Sequence, residues 1–454
     1  MNPNDPSSAA PAAPRLSLAI DRAVIRHRGE SVRHLVCTVE APPAPVDPAR
    51  LRLPLHLALV LDVSGSMSGG RLRAARTAAA QVVASLGDGD RVSLVSFATD
   101  VVLHADAALL DADGRARVGA AIAGLATRGA TDLAAGWLAG CEAVARRLAE
   151  VGDAERSHVV VLSDGRANEG IVDPGELARH AGELRERGVR TSTVGIGSGY
   201  SPAQLLAIAE AGGGRMHDAT ESSEIAEVLL AELRDALATT VDGFELALTL
   251  PPGVRAQVYG TAPLVVGSHG VRVQLGALLG GASRVCVLKL TFPPGAVGQC
   301  LRIDARASWL APLTGSAHAV DLPSVELRYG RTADCLAQPR DLALALAVVR
   351  QWHAFVVHRA MTVNQSGDHR AAHEFARGEL RYFARYAEDV PGGRELADAL
   401  ARYAPEMMRM HAGEDAKEIL LASYKRGRGE DDRRLRSRGT LEDQMGGLYG
   451  SNQP

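Results

Sequence analysis

The sequence predicts an α/β fold: a doubly wound, mostly parallel, Rossmann-like sheet inserted in an antiparallel β-sandwich and followed by a C-terminal helical region. Three observations carry this. Short, continuously apolar runs alternate with helical stretches between Leu55 and Ala238, as in a parallel sheet covered on both faces. Between Phe244 and Tyr329 the pattern changes to apolar-polar alternation punctuated by Gly and Pro, the signature of antiparallel strands. From Pro339 onward apolar residues recur at helical spacing.

In chain order, residues 1–15 (MNPNDPSSAAPAAPR) are rich in Pro, Ala and Ser and have no apolar core. They predict a disordered leader and not a signal peptide. Residues 16–51 open with an alternating stretch around an R-G-E turn, a β-hairpin expected to join the sandwich, and close on the Pro-rich APPAPVDP. The α/β domain is expected over 52–238. Its strands are predicted at 55–61, 91–97, 159–162, 190–196 and 215–218. Helices are predicted at 71–86, 114–125, 133–150, 174–187, 202–211 and 223–238. Pro174 and Pro202 stand where a first helical turn tolerates proline, and Asp132 is placed to cap its helix. The sandwich follows over 239–332, and the short connections at both ends of the α/β domain favour its insertion between sandwich strands. The helical region is expected over 333–424, with helices at 341–360, 368–386, 395–403 and 414–424 and Asp368 as a cap. Residues 425–454 are Gly-rich and charged, which predicts a flexible tail.

The net charge of −3 provides no general attraction to nucleic acid or an anionic membrane surface. Aromatics make up only 4%, too few to suggest base-stacking surfaces. The five cysteines (Cys37, Cys141, Cys286, Cys300 and Cys335) are scattered, with no C-x-x-C pair, so neither a zinc ribbon nor a disulfide framework is expected. No run reaches the roughly 18 apolar residues of a membrane span; LALALAVV is cut off by Arg350. The expected location is the cytoplasm.

The most informative segment is LHLALVLDVSGSM, residues 55–67. A buried-strand run ends in Asp62, and Ser64 and Ser66 follow at alternate positions. A loop leaving the carboxyl end of a parallel strand is where open α/β sheets bind ligands. Two further segments supply matching chemistry: RGATDLAAG, with Thr131 before a helical run, and SHVVVLSDG, a second buried strand ending at Asp164. Asp62, Ser64, Ser66, Thr131 and Asp164 are all hard oxygen donors, a set suited to Mg²⁺ or Mn²⁺ rather than to zinc.

These segments resemble the von Willebrand factor type A domain and its metal-ion-dependent adhesion site, whose pattern is D-x-S-x-S, then a threonine, then an aspartate. All five positions are matched, and the resemblance extends over about Arg52 to Ala238. It implies that hydroxyls and carboxylates hold the ion, directly or through water, and leave one coordination position for an Asp or Glu carboxylate of a protein partner. It implies a non-enzymatic binding module, with binding coupled to a shift of the last helix, 223–238. It places the chain with an intracellular branch whose members work beside AAA+ ATPases or Ser/Thr kinases and phosphatases. Insertion of such a domain between sandwich strands has parallels in the integrins and the inter-α-trypsin inhibitor heavy chains.

Rival readings come from the same residues. Asp62 could serve as the nucleophile of a Mg²⁺-dependent phosphohydrolase, but Ser64 stands where such a site needs a second acid. A metal-independent assembly scaffold is the other alternative. GIGSGY at 195–200 lacks the G-K-[ST] ending of a phosphate loop and reads as a plain turn. His369 and His373 lie one helical turn apart without a third ligand and read as packing or surface residues, as do His353 and His358. In the tail, Leu441, Met445, Leu448 and Tyr449 are candidates for docking to a partner.

Overall fold

The computed structural model describes residues 13–44, 52–312, 314–411 and 413–428, together with Leu441 and Met445. These fall into two compact units. One comprises Pro43–Asp242 with Leu310–Ala317; the other is drawn from Met1–Pro42, Gly243–Trp309 and His318–Pro454. Most of the predicted leader and tail lies outside the described residues.

The second unit begins with β1 (Arg15–Ile20), β2 (Val24–Arg26) and β3 (Ser31–Glu40). One hairpin was expected here; three strands form, in two sheets. β1 pairs with β3, while β2 runs parallel to a later strand in the other sheet. The bend lies at Asp21, whose buried carboxylate accepts the His34 N–H at 2.9 Å and the Tyr386 hydroxyl at 3.1 Å. A run of three residues is too short to carry a readable alternation, so β2 escapes the sequence.

The first unit contains β4 (Leu55–Asp62), α1 (Gly70–Ser85), β5 (Arg91–Phe97), β6 (Val101–Leu109), α2 (Ala112–Ala123) and α3 (Leu133–Val151). It continues with β7 (Arg156–Ser163), α4 (Pro174–Glu186), β8 (Arg190–Ile196), α5 (Pro202–Ala211), β9 (Gly213–Ala219) and α6 (Ile225–Ala238). The sheet order is β6-β5-β4-β7-β8-β9. All pairs are parallel except β5–β6. β6 was not expected from the sequence. It is a partly exposed edge strand whose register with β5 shifts twice, and Ala107 takes a left-handed backbone at φ 44°. The irregularity interrupts the alternation by which a strand is read.

Every residue of β4 is buried, because helices cover both faces of the central strand. On one face Leu72, Ala75, Ala79 and Val82 of α1 pack with Leu229 and Leu233 of α6 against Leu57, Leu59 and Leu61. On the other, α3 approaches so closely that a β-carbon on Gly136 would lie 2.3 Å from the Phe97 ring, and one on Gly140 would lie 2.3 Å from Val60 Cγ2. The helix α6 is tied to the sheet by buried polar groups. Glu232 accepts from Ser192 Oγ at 2.5 Å and lies 2.9 Å from His158 Nε2 and 2.5 Å from His217 Nε2. Burial alone would raise its pKa, but the two imidazoles outweigh this and hold the carboxyl well below its ordinary range.

The chain then returns to the second unit along β10 (Thr239–Thr249), followed by β11 (Arg255–Tyr259), β12 (Leu264–Val266), β13 (Gly270–Leu279), β14 (Ser283–Phe292), β15 (Cys300–Ala311) and β16 (Ser316–Gly330), of which residues 239–242 and the tip between β15 and β16, Leu310–Ala317, group with the first unit. They form two sheets of order β1-β3-β14-β11 and β12-β13-β10-β15-β16-β2; the first is antiparallel throughout, and in the second β12–β13 is antiparallel and β16–β2 parallel. β3 and β14 pair over their full length, from Ser31 opposite Phe292 to Glu40 opposite Ser283, so the α/β domain is inserted between two neighbouring strands of one sheet. In β15 buried Ile303, Ala305, Ala307 and Trp309 alternate with exposed Arg302, Asp304 and Arg306. All five cysteines are free thiols, four of them buried.

Last come α7 (Thr332–Ala337), α8 (Leu342–Gln365), α9 (His369–Ala387), α10 (Gly393–Glu406) and α11 (Glu414–Gly427). α8 packs on the sheet containing β3, where Trp352 stacks on Tyr259 with ring centroids 5.1 Å apart and lies 5.6 Å from the His34 ring. Asp368 caps α9 by accepting the Ala371 N–H at 2.9 Å, and His373 Nδ1 lies 2.8 Å from the Ala404 carbonyl oxygen. α11 runs three residues past its expected end, and Leu441 and Met445, in the segment expected to be free, are buried. No helix among the described residues is long and apolar enough to cross a membrane.

Candidate functional site

Two loops leave the carboxyl ends of the adjacent strands β4 and β7, and a third, joining α2 to α3, meets them above the centre of the parallel sheet. The loop after β4 carries Ser64 and Ser66, the loop before α3 carries Thr131, and Asp164 follows β7 directly. They are held by main-chain hydrogen bonds. Gly65 N–H donates to Gly129 O at 3.1 Å, Arg128 N–H to Val63 O at 2.7 Å, and Asn168 N–H to Thr131 O at 3.4 Å.

Asp62 is wholly buried at the end of β4. Its Oδ1 accepts the Ser64 N–H at 2.8 Å, and its Oδ2 accepts the Ser163 hydroxyl at 2.6 Å. Ser66 Oγ donates to Asp164 Oδ1 at 2.6 Å. The Ser64 and Ser66 hydroxyls lie 2.9 Å apart, and since the Ser66 proton is committed to Asp164, Ser64 is the donor of that pair. Among the described residues no hydrogen bond joins the Thr131 hydroxyl to the other four side chains. It lies beside them across Gly165: a β-carbon there would stand 3.2 Å from Thr131 Oγ1 and 3.6 Å from Ser66 Oγ. The absent side chain leaves a small space lined by hydroxyls. Asp62, Ser64, Thr131 and Asp164 are buried, whereas Ser66 is exposed, so the cluster opens to solvent on its side.

The electrostatics favour a cation. Burial pushes the Asp62 carboxyl above its ordinary pKa; the hydrogen bonds from Ser163 and Ser64 oppose this, and the neighbouring Asp164 adds to it. Two buried carboxylates therefore repel one another around a space lined by hydroxyls. A hard divalent ion there would relieve the repulsion, and an all-oxygen set of two carboxylates and three hydroxyls fits Mg²⁺ or Mn²⁺. Among the described residues no group of three or more His, Cys, Asp or Glu is arranged to hold a metal.

Two residues of the site were not recognised from the sequence. Ser163 stands beside Asp62 because Leu61 is in register with Leu162 on the neighbouring strand. Arg71, in the first turn of α1, donates from Nη1 to Asp164 Oδ2 at 2.8 Å and to Ser66 O at 3.3 Å. The turn at 195–200 proves to be a wall of the site, since a β-carbon on Gly199 would lie 2.7 Å from the Asp164 carbonyl oxygen. Asp132 caps α3, accepting the Ala135 N–H at 2.9 Å. Nucleophilic attack by Asp62 is disfavoured, because it is fully buried and both its oxygens already accept hydrogen bonds.

Residues 56–231 match the family model of the von Willebrand factor type A domain. Two solved structures are similar over nearly the whole chain. One is the von Willebrand factor type A protein from Catenulispora acidiphila, with a TM-score of 0.64 and 19% identity, covering 90% of this chain and 96% of that one. The other is the ArnB paralog VWA2 from Sulfolobus acidocaldarius, with a TM-score of 0.57 and 12% identity, covering 92% and 100%. At these identities the likeness is one of fold. Among curated proteins, the chain is 28% identical over 199 residues to the uncharacterized protein YfbK of Escherichia coli, covering 43% of this chain and 34% of YfbK. It is 28% identical over 315 residues to the uncharacterized protein sll0103 of Synechocystis sp., covering 65% of this chain and 72% of that protein. The chain thus spans about a third of the length of YfbK.

Proposed function

We propose that this chain, which carries a von Willebrand factor type A domain over residues 56–231, is a non-enzymatic protein-binding module whose grip on its partner depends on a divalent ion. Domains of this family typically mediate protein–protein interaction. Asp62 anchors the ion mainly through its charge, Ser64, Ser66 and Thr131 contribute hydroxyl oxygens, and Asp164 supplies the second carboxylate, directly or through water. Bound there, Mg²⁺ or Mn²⁺ would supply an electrophilic point for an Asp or Glu carboxylate of the partner. Because the protein contributes only two negative charges, the ion keeps its appetite for a third.

The observation that carries the reading is the meeting of five oxygen-bearing side chains, from three separate segments, around the space at Gly165 with Ser66 at its open side. Titration calorimetry of the full chain with Mg²⁺ and Mn²⁺, wild type against Asp62→Ala, tests it. Binding by the wild type and its loss in the variant are expected; equal affinity in the two would refute the assignment.

A further inference from the structure

The side chain of Asp164 is completely buried, yet a guanidinium reaches it. Arg71 Nη1 lies 2.8 Å from Oδ2, while Ser66 occupies Oδ1. A buried carboxylate with no counter-charge is costly, so this contact has a clear role whenever no ion is held. The position of Arg71 is otherwise unfavourable. It lies in the first turn of α1, where the helix dipole disfavours a positive charge. The space for it is nonetheless maintained: Gly197, with φ +68°, lies against the guanidinium, and a β-carbon there would stand 3.1 Å from Arg71 Nη2. With 38% of its side chain exposed, Arg71 can swing its charged head into water at little cost.

We propose that Arg71 is an internal counter-cation of the metal site: it neutralises Asp164 in the ion-free protein and competes with the divalent ion, so that it sets the affinity of the site downward. The inference rests on the reading of Asp164 as a ligand of that ion. A unit charge a few ångströms from a dication, even under water-like screening, weakens binding about tenfold or more. The site so tuned releases its ion readily and holds it best once the partner's carboxylate adds its own negative charge.

The test is Mg²⁺ and Mn²⁺ titration calorimetry on the full chain, comparing wild type, Arg71→Gln, Arg71→Lys and Asp62→Ala, with melting temperatures in EDTA and in Mg²⁺. Arg71→Gln is expected to bind Mg²⁺ about tenfold more tightly than wild type. Arg71→Lys, which keeps the charge, should stay within about threefold of wild type on the same electrostatic ground. In EDTA, Arg71→Gln should melt below wild type, and Mg²⁺ should raise its melting temperature by more. Equal or weaker Mg²⁺ binding by Arg71→Gln, with binding still lost in Asp62→Ala, overturns the inference and leaves the metal site standing. No binding by either wild type or Arg71→Gln overturns both. Should Arg71→Gln fail to fold, the wild type still answers. In protein labelled with ¹⁵N-arginine, the guanidinium signal that Arg71→Lys removes should move along the Mg²⁺ titration, and a signal unmoved at saturation overturns the inference.

Discussion

Replacing Ser163 by alanine removes a hydroxyl that touches no solvent and, in this reading, no metal. The perturbation falls mainly on the short hydrogen bond from Ser163 Oγ to Asp62 Oδ2 at 2.6 Å, with both residues fully buried; the longer contacts of the same hydroxyl to the Gly165 N–H and carbonyl, at 3.4 Å, go with it. A hydrogen bond to a charged group contributes about 1.5–3 kcal/mol. Because the bond is already made in the ion-free protein, that energy bears on stability, and ion affinity changes through the orientation the bond gives to Asp62. Loss of a group that orients a metal ligand lowers ion affinity about 10–100-fold. Burial already pushes the Asp62 carboxyl up, and Ser163 is the leading influence holding it down. The deficit in Ser163→Ala should therefore widen toward acid pH, because the variant lacks the hydrogen bond that most opposes the upward push of burial on Asp62. Calorimetric titration with Mg²⁺ at pH 7.5 and pH 6 measures both effects, with Ser163→Thr as the hydroxyl-retaining control. An affinity for Mg²⁺ in Ser163→Ala within about twofold of wild type would refute the reasoning, since loss of an orienting partner should amount to at least tenfold.

Two further expectations concern the scaffold. Gly140→Ala would press a β-carbon onto Val60 Cγ2, 2.3 Å away. Overpacking of about 1–3 kcal/mol should exceed the helix-propensity gain of about 1 kcal/mol, leaving a net loss seen by urea unfolding that Val60→Ala in the same chain partly restores; an unchanged midpoint contradicts the close approach of α3 to β4. Burial lowers the pKa of both His56 and His358 to about 4, so each stays neutral in the folded protein over a range where the unfolded chain takes up a proton. Stability should therefore fall as pH drops from about 6.5 toward 4, by about 2 kcal/mol per histidine at pH 5. Urea unfolding at pH 7.5 and 5 checks this, and a flat profile between the two would count against it.

The parallel sheet was legible in the sequence because its central strand is sheathed on both faces and so carries only one polar residue, His56, between Leu55 and Leu61. For the same reason Asp62, with Ser64 and Ser66 after it, and Asp164 at the close of the second run stood out as the acidic and hydroxyl groups that follow such strands. Ser163 and Arg71 did not stand out, because their roles depend on quantities a single segment does not encode. Ser163 reaches Asp62 through strand register, and Arg71 reaches Asp164 through the docking of a helix beside a glycine turn. The irregular β6 and the three-residue β2 lay below the length and regularity at which alternation can be recognised. The pairing of β3 with β14 was suggested only by short connections, since nothing in either strand names its neighbour.

That pairing imposes an order of events on the ribosome. β3 ends at Glu40, and the strand that completes its hydrogen bonds does not begin until Ser283. At roughly 5–20 residues per second, β3 waits on the order of 10–50 s, long enough for the whole intervening domain to emerge and begin to fold. Closing so long a loop carries an entropic cost that grows only with the logarithm of its length. A domain that folds on its own in that interval draws its two ends together and shortens the search. Variants that slow the folding of the inserted domain should therefore leave Leu35, Val36 and Cys37 uncovered during synthesis, where nascent chains can cross-associate, before any defect is apparent in the finished protein.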